Sequence, residues 1–241
     1  MHSATTLAEP SRPSVADFHR VNRGGGLFSE SISQWIGAVF ALAAQRLGLR
    51  PTALTITNLV LGLAASVTVV ALASKVAVGS VPAWAVGLLA LVAWQIAYAL
   101  DCADGQLARV TKQNNPAGAR VDVLCDVAAQ IALVTALGAT AVAQRPSTPT
   151  WLIAVFAGTW MVNLVTSVMQ AGPNAASMVT STSLPVRLAK LVRDYGAVIF
   201  VAALVLLFAP ALTVWVMVAF SVVNGGFLLA SIAFSARSSL H

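Results

Sequence analysis

The sequence DCADGQLARVTKQNNPAGARVDVLCD, from Asp101 to Asp126, is rich in aspartate in a chain that has few acidic residues. Four of the eight Asp and Glu residues of the protein lie here: Asp101, Asp104, Asp122 and Asp126. Residues three or four apart share a face of an α-helix. Asp101 and Asp104 would therefore share a face of one helix, and Asp122 and Asp126 a face of the next. Two helices joined by the polar turn would bring the four carboxylates around one point. Because clustered carboxylates repel one another, they predict a site for hard cations such as Mg²⁺ or Mn²⁺.

The fixed positions of this stretch follow the pattern D-x2-D-G-x2-A-R-x8-G-x3-D-x3-D. The pattern resembles the signature of the CDP-alcohol phosphotransferase family, membrane enzymes that build phospholipid headgroups. The opening of the first apolar span, Pro51-Thr52-Ala53-Leu54-Thr55, resembles the family's P-N-x-x-T, although Thr52 stands where the family has Asn. Thr55 and Asn58 are three residues apart and would face the same interior.

The resemblance implies roles for individual residues. Two divalent ions would be held by Asp101, Asp104 and Asp122, with Asp126 as a further ligand and as the general base. The CDP moiety would lie against Gly105, Ala108, Arg109 and Gly118, with a contribution from Thr55. The reaction would transfer a phosphatidyl or related phospho-alcohol group from a CDP-linked donor, such as CDP-diacylglycerol, to an acceptor alcohol and release CMP. The resemblance also implies a homodimer.

Composition independently predicts an all-α integral membrane protein. The chain has 241 residues, of which 58% are hydrophobic and 9% charged, far below the roughly 25% charged residues of soluble domains. Its mean hydropathy is +0.83. Six apolar stretches reach or approach the roughly 20 residues needed to cross a bilayer, at about 53–74, 82–101, 127–143, 150–171, 195–209 and 211–234. Pro210 predicts a turn between the last two.

The N-terminal region has a different composition. Residues 1–26 are polar, include the run Gly24-Gly25-Gly26, and predict a flexible cytoplasmic tail. Apolar residues then recur at helical spacing over 27–45, which predicts an amphipathic helix at the membrane surface; a helix packed as in a soluble protein is the alternative. Residues 27–241 would form one membrane domain, with its six spans between 53 and 236.

The basic residues predict the orientation. With six crossings, Lys75 and Arg145 fall on one side, and the other twelve Lys and Arg fall on the side that carries both termini and the aspartates. The positive-inside rule makes that side cytoplasmic, and we expect the plasma (inner) membrane of a prokaryote. Membrane lipids are the expected surroundings, and nothing indicates nucleic acid as a partner.

Two questions stay open at the level of sequence. Arg187, Lys190 and Arg193 form a basic stripe that would bind either an acceptor phosphate or anionic lipid. Residues 172–196 lack the strings associated with phosphatidylinositol-phosphate or phosphatidylglycerol-phosphate synthases, so the acceptor cannot be read, although both are alternatives. A cation transporter is the rival from another class, because acidic residues within membranes also mark ion routes.

Overall fold

The structure, a computed structural model, describes residues 13–22, 24–169, 191 and 193–239. These residues include helices and no β-strand. The α-helices in chain order are α1 (Val15–Arg20), α2 (Gln34–Arg46), α3 (Pro51–Ala77), α4 (Ala83–Val110), α5 (Pro116–Gln144), α6 (Thr150–Met169), α7 (Tyr195–Phe208) and α8 (Thr213–Ser239). A π-helical turn, Ser29–Ser33, leads into α2, and a 3₁₀ turn, Pro210–Leu212, leads into α8.

Within the part of the chain that the structure describes, four helical segments are long and apolar enough to cross a membrane: α3, α4, α5 and the segment Pro210–Ala233. Two further apolar helices are shorter, Thr150–Val162 within α6 and Tyr195–Phe208. Four of the six predicted crossings therefore coincide with helices of spanning length. The predicted turn at Pro210 is confirmed, since α7 ends just before it.

The N-terminal region is more ordered than the sequence predicted. Residues 15–20, expected to belong to a flexible tail, form α1, and the side chain of Phe18 is fully buried. Phe18 packs with three alanines of α2 and with the last turns of α4, so α1 and α2 rest on the bundle as one unit. The tail prediction is wrong for these residues because one aromatic side chain anchors the segment. Residues 1–12 lie outside the described residues.

The first helix after α2 and the helix that carries the second pair of aspartates both begin at proline. Pro51 and Pro116 occupy the first turns of α3 and α5, where a missing N–H costs nothing and the fixed φ suits the helix. Asn115 caps α5, because its side-chain oxygen accepts a hydrogen bond of 2.7 Å from the Gly118 N–H. The turn from α4 reaches this cap through Lys112, which has the left-handed φ of 57°.

The packing of α4 against its neighbours fixes where its acidic end lies. A Cβ on Gly87 would collide with the backbone of Leu207, so α4 and α7 approach closely. Toward the other end of α4, a Cβ on Gly37 would lie 2.9 Å from the Ala99 carbonyl oxygen, so α2 also packs closely against α4. α3 and α5 pack against each other, and α3 also packs along α4. The acidic end of α4 is thus bordered by α2 and α3, and α5 comes near it by packing on α3.

Candidate active site

Three of the predicted carboxylates meet between α4 and α5. One carboxylate oxygen from each of Asp101, Asp122 and Asp126 lies within 4.8 Å of the other two. All three side chains are half-buried. Asp101 stands near the end of α4, and the other two occupy successive turns at the start of α5. The structure therefore brings together residues that are up to 25 positions apart, as predicted for two helices joined by a polar turn.

Asp104 is the fourth carboxylate, and it lies beside this group rather than within it. Its side chain is buried, and it accepts a hydrogen bond of 2.5 Å from the hydroxyl of Thr55 on α3. The carboxyl group of Asp104 also lies within hydrogen-bonding reach of Asp122, and that of Asp101 within reach of Asp126. The four carboxylates thus form two facing pairs across the gap between α4 and α5.

A second residue of α3 contacts the acidic group. The side-chain amide of Asn58 donates a hydrogen bond of 3.2 Å to Asp101. Thr55 and Asn58, both buried, therefore place one donor on a carboxylate of each facing pair. Their spacing of three in the sequence was the signal for this shared face.

The arrangement fits a divalent cation. One buried oxygen of Asp122, Oδ1, has no hydrogen-bond partner among the described residues. An unpartnered buried carboxylate oxygen is costly, whereas a cation between the facing carboxylates would satisfy it. Oxygen donors are also the ligands that Mg²⁺ and Mn²⁺ prefer. Asp101, Asp122 and Asp126 could hold such an ion.

An open cleft of about 1,110 Å³ borders one side of the acidic group. Sites for small molecules usually measure roughly 300–1,000 Å³, so this cleft has room for a nucleotide. Asp104 and Asp122 face it from the acidic group. All five residues predicted to contact the CDP moiety line it: Thr55, Gly105, Ala108, Arg109 and Gly118.

Arg109 places a positive charge at this cleft. Its guanidinium folds back over its own helix, where a Cβ on Gly105 would lie 3.0 Å from its terminal nitrogens. Glycine at 105 thus leaves room for the side chain. The guanidinium also lies close enough to Asp122 to interact with it electrostatically. A planar guanidinium can bind two phosphate oxygens at once, which suits a pyrophosphate. Arg120, in contrast, is exposed.

A smaller cavity of about 200 Å³ borders the other side of the acidic group and extends toward the middle of the bundle. Asp101 and Asp126 face it. Its other polar and aromatic lining comes from Asn58, Ser66, Trp94, Tyr98, Gln130, Trp160, Arg193, Tyr195 and Phe220. Each facing pair of carboxylates therefore contributes to a different space: Asp104 and Asp122 to the cleft, Asp101 and Asp126 to the cavity.

The predicted basic stripe falls largely outside the described residues. Arg187 and Lys190 lie there, so only Arg193 can be placed. Its guanidinium carbon lies 3.5 Å from the centre of the Phe227 ring, a cation–π contact. Partial burial lowers the pKa of Arg193 from its ordinary value. This residue lines the cavity together with Asp101 and Asp126.

Most of the cavity lining was not predicted from the sequence. Trp94 and Trp160 are buried packing residues, and their indole N–H groups donate to Ser66 and Gln130. Tyr98 carried one usable signal, since it precedes Asp101 by three residues and so shares its helix face. The remaining lining residues come from helices whose relative packing the pattern did not specify.

A helical membrane bundle that holds an acidic cluster beside a nucleotide-sized cleft has the architecture of a membrane-embedded enzyme. The model of the CDP-alcohol phosphatidyltransferase family matches residues 48–225, and the protein belongs to that family of enzymes. The matched range includes the whole acidic stretch and the opening of α3. A comparison with curated proteins finds no significant match. Family membership decides between the enzyme and the cation transporter in favour of the enzyme.

Proposed function

We propose that the protein transfers a phosphatidyl or related phospho-alcohol group from a CDP-linked donor to an acceptor alcohol and releases CMP. One observation supports this most directly: the four carboxylates separate an open cleft from a more enclosed cavity and contribute two members to each. A transfer reaction needs two substrates that meet at one charged centre. The cleft and the cavity would each receive one of them.

The donor would occupy the cleft. Gly105, Ala108 and Gly118 have small side chains or none, so a nucleotide can lie close against the backbone there. Arg109 would bind the pyrophosphate through its planar guanidinium. Thr55 would hold Asp104 in place at the edge of the same cleft.

Two Mg²⁺ or Mn²⁺ ions would be held by Asp101, Asp104, Asp122 and Asp126. Bound divalent ions neutralise the charge that develops on phosphoryl oxygens and on the leaving group. The protein's own part is to keep the four carboxylates in facing pairs and to exclude bulk water from the cavity side. Asn58 and Thr55 stabilise the pairs by hydrogen bonding to one member of each.

Asp126 is the proposed general base. It faces the cavity, where the acceptor hydroxyl would enter. The hydroxyl oxygen would form a new bond to the phosphorus that bears the lipid alcohol, while the hydroxyl proton moves to the Asp126 carboxylate. The P–O bond to the bridging oxygen breaks, and CMP leaves with that oxygen. The proton on Asp126 is later released to water.

The proposed setting is a membrane crossed six times, with the two shorter apolar helices completing the count. Both termini and the acidic group would face the cytoplasm, because twelve of the fourteen Lys and Arg fall on that side. The membrane would be the plasma membrane of a prokaryote. Helix α2 would lie at its surface, where the exposed Trp35, Ile36 and Val39 would contact lipid. The protein would act as a homodimer. Phosphatidylinositol-phosphate or phosphatidylglycerol-phosphate synthesis is one form that this reaction could take.

The test is a CMP-release assay with purified full-length protein, CDP-diacylglycerol and a panel of alcohols, with and without Mg²⁺ or Mn²⁺. We expect metal-dependent CMP release that one class of alcohol stimulates. Asp126→Asn should abolish turnover but preserve metal-dependent donor binding, because the amide cannot take the proton. Glu30→Gln makes the same chemical change on an exposed residue outside the site and should behave like the wild type.

Failure of all alcohols to stimulate CMP release from CDP-diacylglycerol and other CDP-linked donors would refute the proposed reaction. Near-normal turnover in Asp126→Asn would remove this residue from the role of base.

A further inference from the structure

A buried hydrogen-bond network connects the surface helix to the cavity. The carboxylate of Asp194, just before α7, accepts hydrogen bonds from the backbone N–H groups of Phe28 at 2.8 Å and Ser29 at 3.0 Å. It also accepts from the Ser29 hydroxyl and, at 3.4 Å, from the Ala197 N–H. Four donors use the full accepting capacity of one carboxylate. Asp194 therefore caps α7 and anchors the π-helical turn at the same time.

Two glycines provide the space for this network. A Cβ on Gly26 would collide with the Asp194 carboxylate. A Cβ on Gly196 would lie 2.9 Å from both the Ser29 hydroxyl oxygen and the ring of Tyr98. Side chains at these two positions would push the surface turn, α4 and α7 apart. The close approach of the three elements thus depends on the glycines.

The network determines which way the phenol of Tyr98 donates. The Ser29 and Tyr98 hydroxyl oxygens are 2.8 Å apart. A serine hydroxyl has one hydrogen, and that of Ser29 is donated to Asp194. Tyr98 must therefore donate its own hydrogen to Ser29. Its phenolic oxygen is left to accept, either from the thiol of Cys102, a weak donor within hydrogen-bonding reach, or from a stronger donor in the cavity that Tyr98 lines.

The position of Tyr98 relates this acceptor to the reacting centre. Tyr98 precedes Asp101 by three residues on α4, so both share one helix face, and their Cα atoms are about 4.5 Å apart along the axis at 1.5 Å per residue. A molecule whose reacting hydroxyl lies at Asp101 and Asp126 would extend past Tyr98. A second hydroxyl two or three carbons from the first would then donate to the phenolic oxygen.

We infer that Ser29 and Asp194 are positioning residues that orient Tyr98, and that Tyr98 selects an acceptor alcohol with at least two hydroxyl groups. The inference rests on the proposed function. The cavity has the space of roughly seven water molecules at about 30 Å³ each, which suits a small polyol. Its aromatic lining would also attract an ammonium group. Once the proposed metal ions neutralise Asp101 and Asp126, however, Arg193 places a positive charge at the cavity, which opposes an amino alcohol. Neutral or phosphorylated polyols are the class that fits.

The experiment measures CMP release from CDP-diacylglycerol by the purified full-length protein with two sets of acceptors. Glycerol, glycerol 3-phosphate, myo-inositol and its phosphate have several hydroxyls, whereas serine, ethanolamine and choline have one. We expect stimulation by a member of the first set. With that acceptor, Tyr98→Phe should raise the acceptor KM about tenfold or more and leave the donor KM unchanged.

Coupling between residues tests the positioning role. Ser29→Ala and Asp194→Asn should raise the same acceptor KM, and Ser29→Ala should add nothing in a protein that already carries Tyr98→Phe. Ser33→Ala is the matched control, because Ser33 is a buried serine of the same turn whose hydroxyl has no hydrogen-bond partner among the described residues. Ser33→Ala should leave the acceptor KM unchanged. Should Asp194→Asn fail to fold, Ser29→Ala alone decides the question.

The possible failures are distinguishable. CMP release that only serine, ethanolamine or choline stimulates would overturn the inference and leave the proposed function standing. Additive effects of Ser29→Ala and Tyr98→Phe, or equal changes in donor and acceptor KM, would also overturn it. Absence of metal-dependent CMP release from the wild type with every acceptor would refute the proposed function itself.

Discussion

Replacing Thr55 with valine tests whether an uncharged residue of α3 controls the acidic site. Thr55 is 4% exposed and Asp104 is 5% exposed, so water does not replace the hydrogen bond between their side chains. Valine keeps the shape of threonine and exchanges the hydroxyl for a methyl group. Asp104 then loses its donor on α3 while its other neighbours stay in place.

The loss of metal affinity in Thr55→Val can be calculated in two ways. A hydrogen bond to a charged group contributes about 1.5–3 kcal/mol. Outer-shell partners of metal-ligating carboxylates typically contribute about 10- to 100-fold in metal affinity or activity, and 100-fold equals about 2.8 kcal/mol at 1.4 kcal/mol per tenfold. The two ranges agree. We therefore expect Thr55→Val to raise the metal concentration at half-maximal CMP release about 10- to 100-fold.

The assay is a titration of Mg²⁺ or Mn²⁺ at saturating donor and acceptor. Thr55→Ser keeps the hydroxyl and should stay close to the wild type. Thr57→Val is the matched control, because Thr57 is exposed on the same helix and its hydroxyl donates only to the carbonyl of Ala53, at 2.8 Å. An unchanged metal dependence in Thr55→Val would refute the reasoning. So would an equal loss in Thr57→Val, since a general effect on α3 would then explain both.

Three further predictions follow from the same contacts. Asp122→Asn should remove most of the thermal stabilisation that Mn²⁺ gives the purified protein, which reaches about 2.7 kcal/mol at 100 times Kd; a shift as large as that of the wild type would contradict a ligand role. Arg109→Lys should raise the donor KM about tenfold or more, because an ammonium cannot bind two phosphate oxygens in one plane, and an unchanged donor KM would exclude a pyrophosphate contact. Gly87→Ala should destabilise the protein by about 1–3 kcal/mol through overpacking against Leu207, as measured by thermal unfolding in detergent. Gly158→Ala, with open space around the added Cβ, should be neutral or slightly stabilising, and equal losses in both variants would contradict the packing argument.

The part of the site carried by local spacing was predictable from the sequence. Asp101 and Asp104 share a face of α4, Asp122 and Asp126 share a face of α5, and one short polar turn joins the two helices. Helical geometry then leaves few ways to arrange the four carboxylates. The family resemblance added Thr55, whose hydrogen bond to Asp104 comes from a different helix.

The part that depends on contacts between distant segments was not predictable. The sequence assigned no role to Asp194, and it placed Gly26 at the end of a predicted flexible tail. Their contact requires the surface turn and the start of α7 to meet, although they are about 170 positions apart in the chain. Neither periodicity nor composition carries information about such a meeting. The same reason explains the missed helix α1, because the burial of Phe18 depends on a partner surface formed by α2 and α4.

Because the carboxylates are divided between the cleft and the cavity, the two substrates would approach the reacting phosphorus from opposite sides. The donor phosphorus would lie between the cleft and the cavity, with its leaving CMP on the side of Asp104 and Asp122. The acceptor hydroxyl would arrive from the side of Asp101 and Asp126, opposite the leaving group. That is the arrangement an in-line displacement requires. Of Asp122 and Asp126, only Asp126 lines the cavity from which the hydroxyl would arrive. This arrangement therefore favours Asp126 over Asp122 as the proton acceptor.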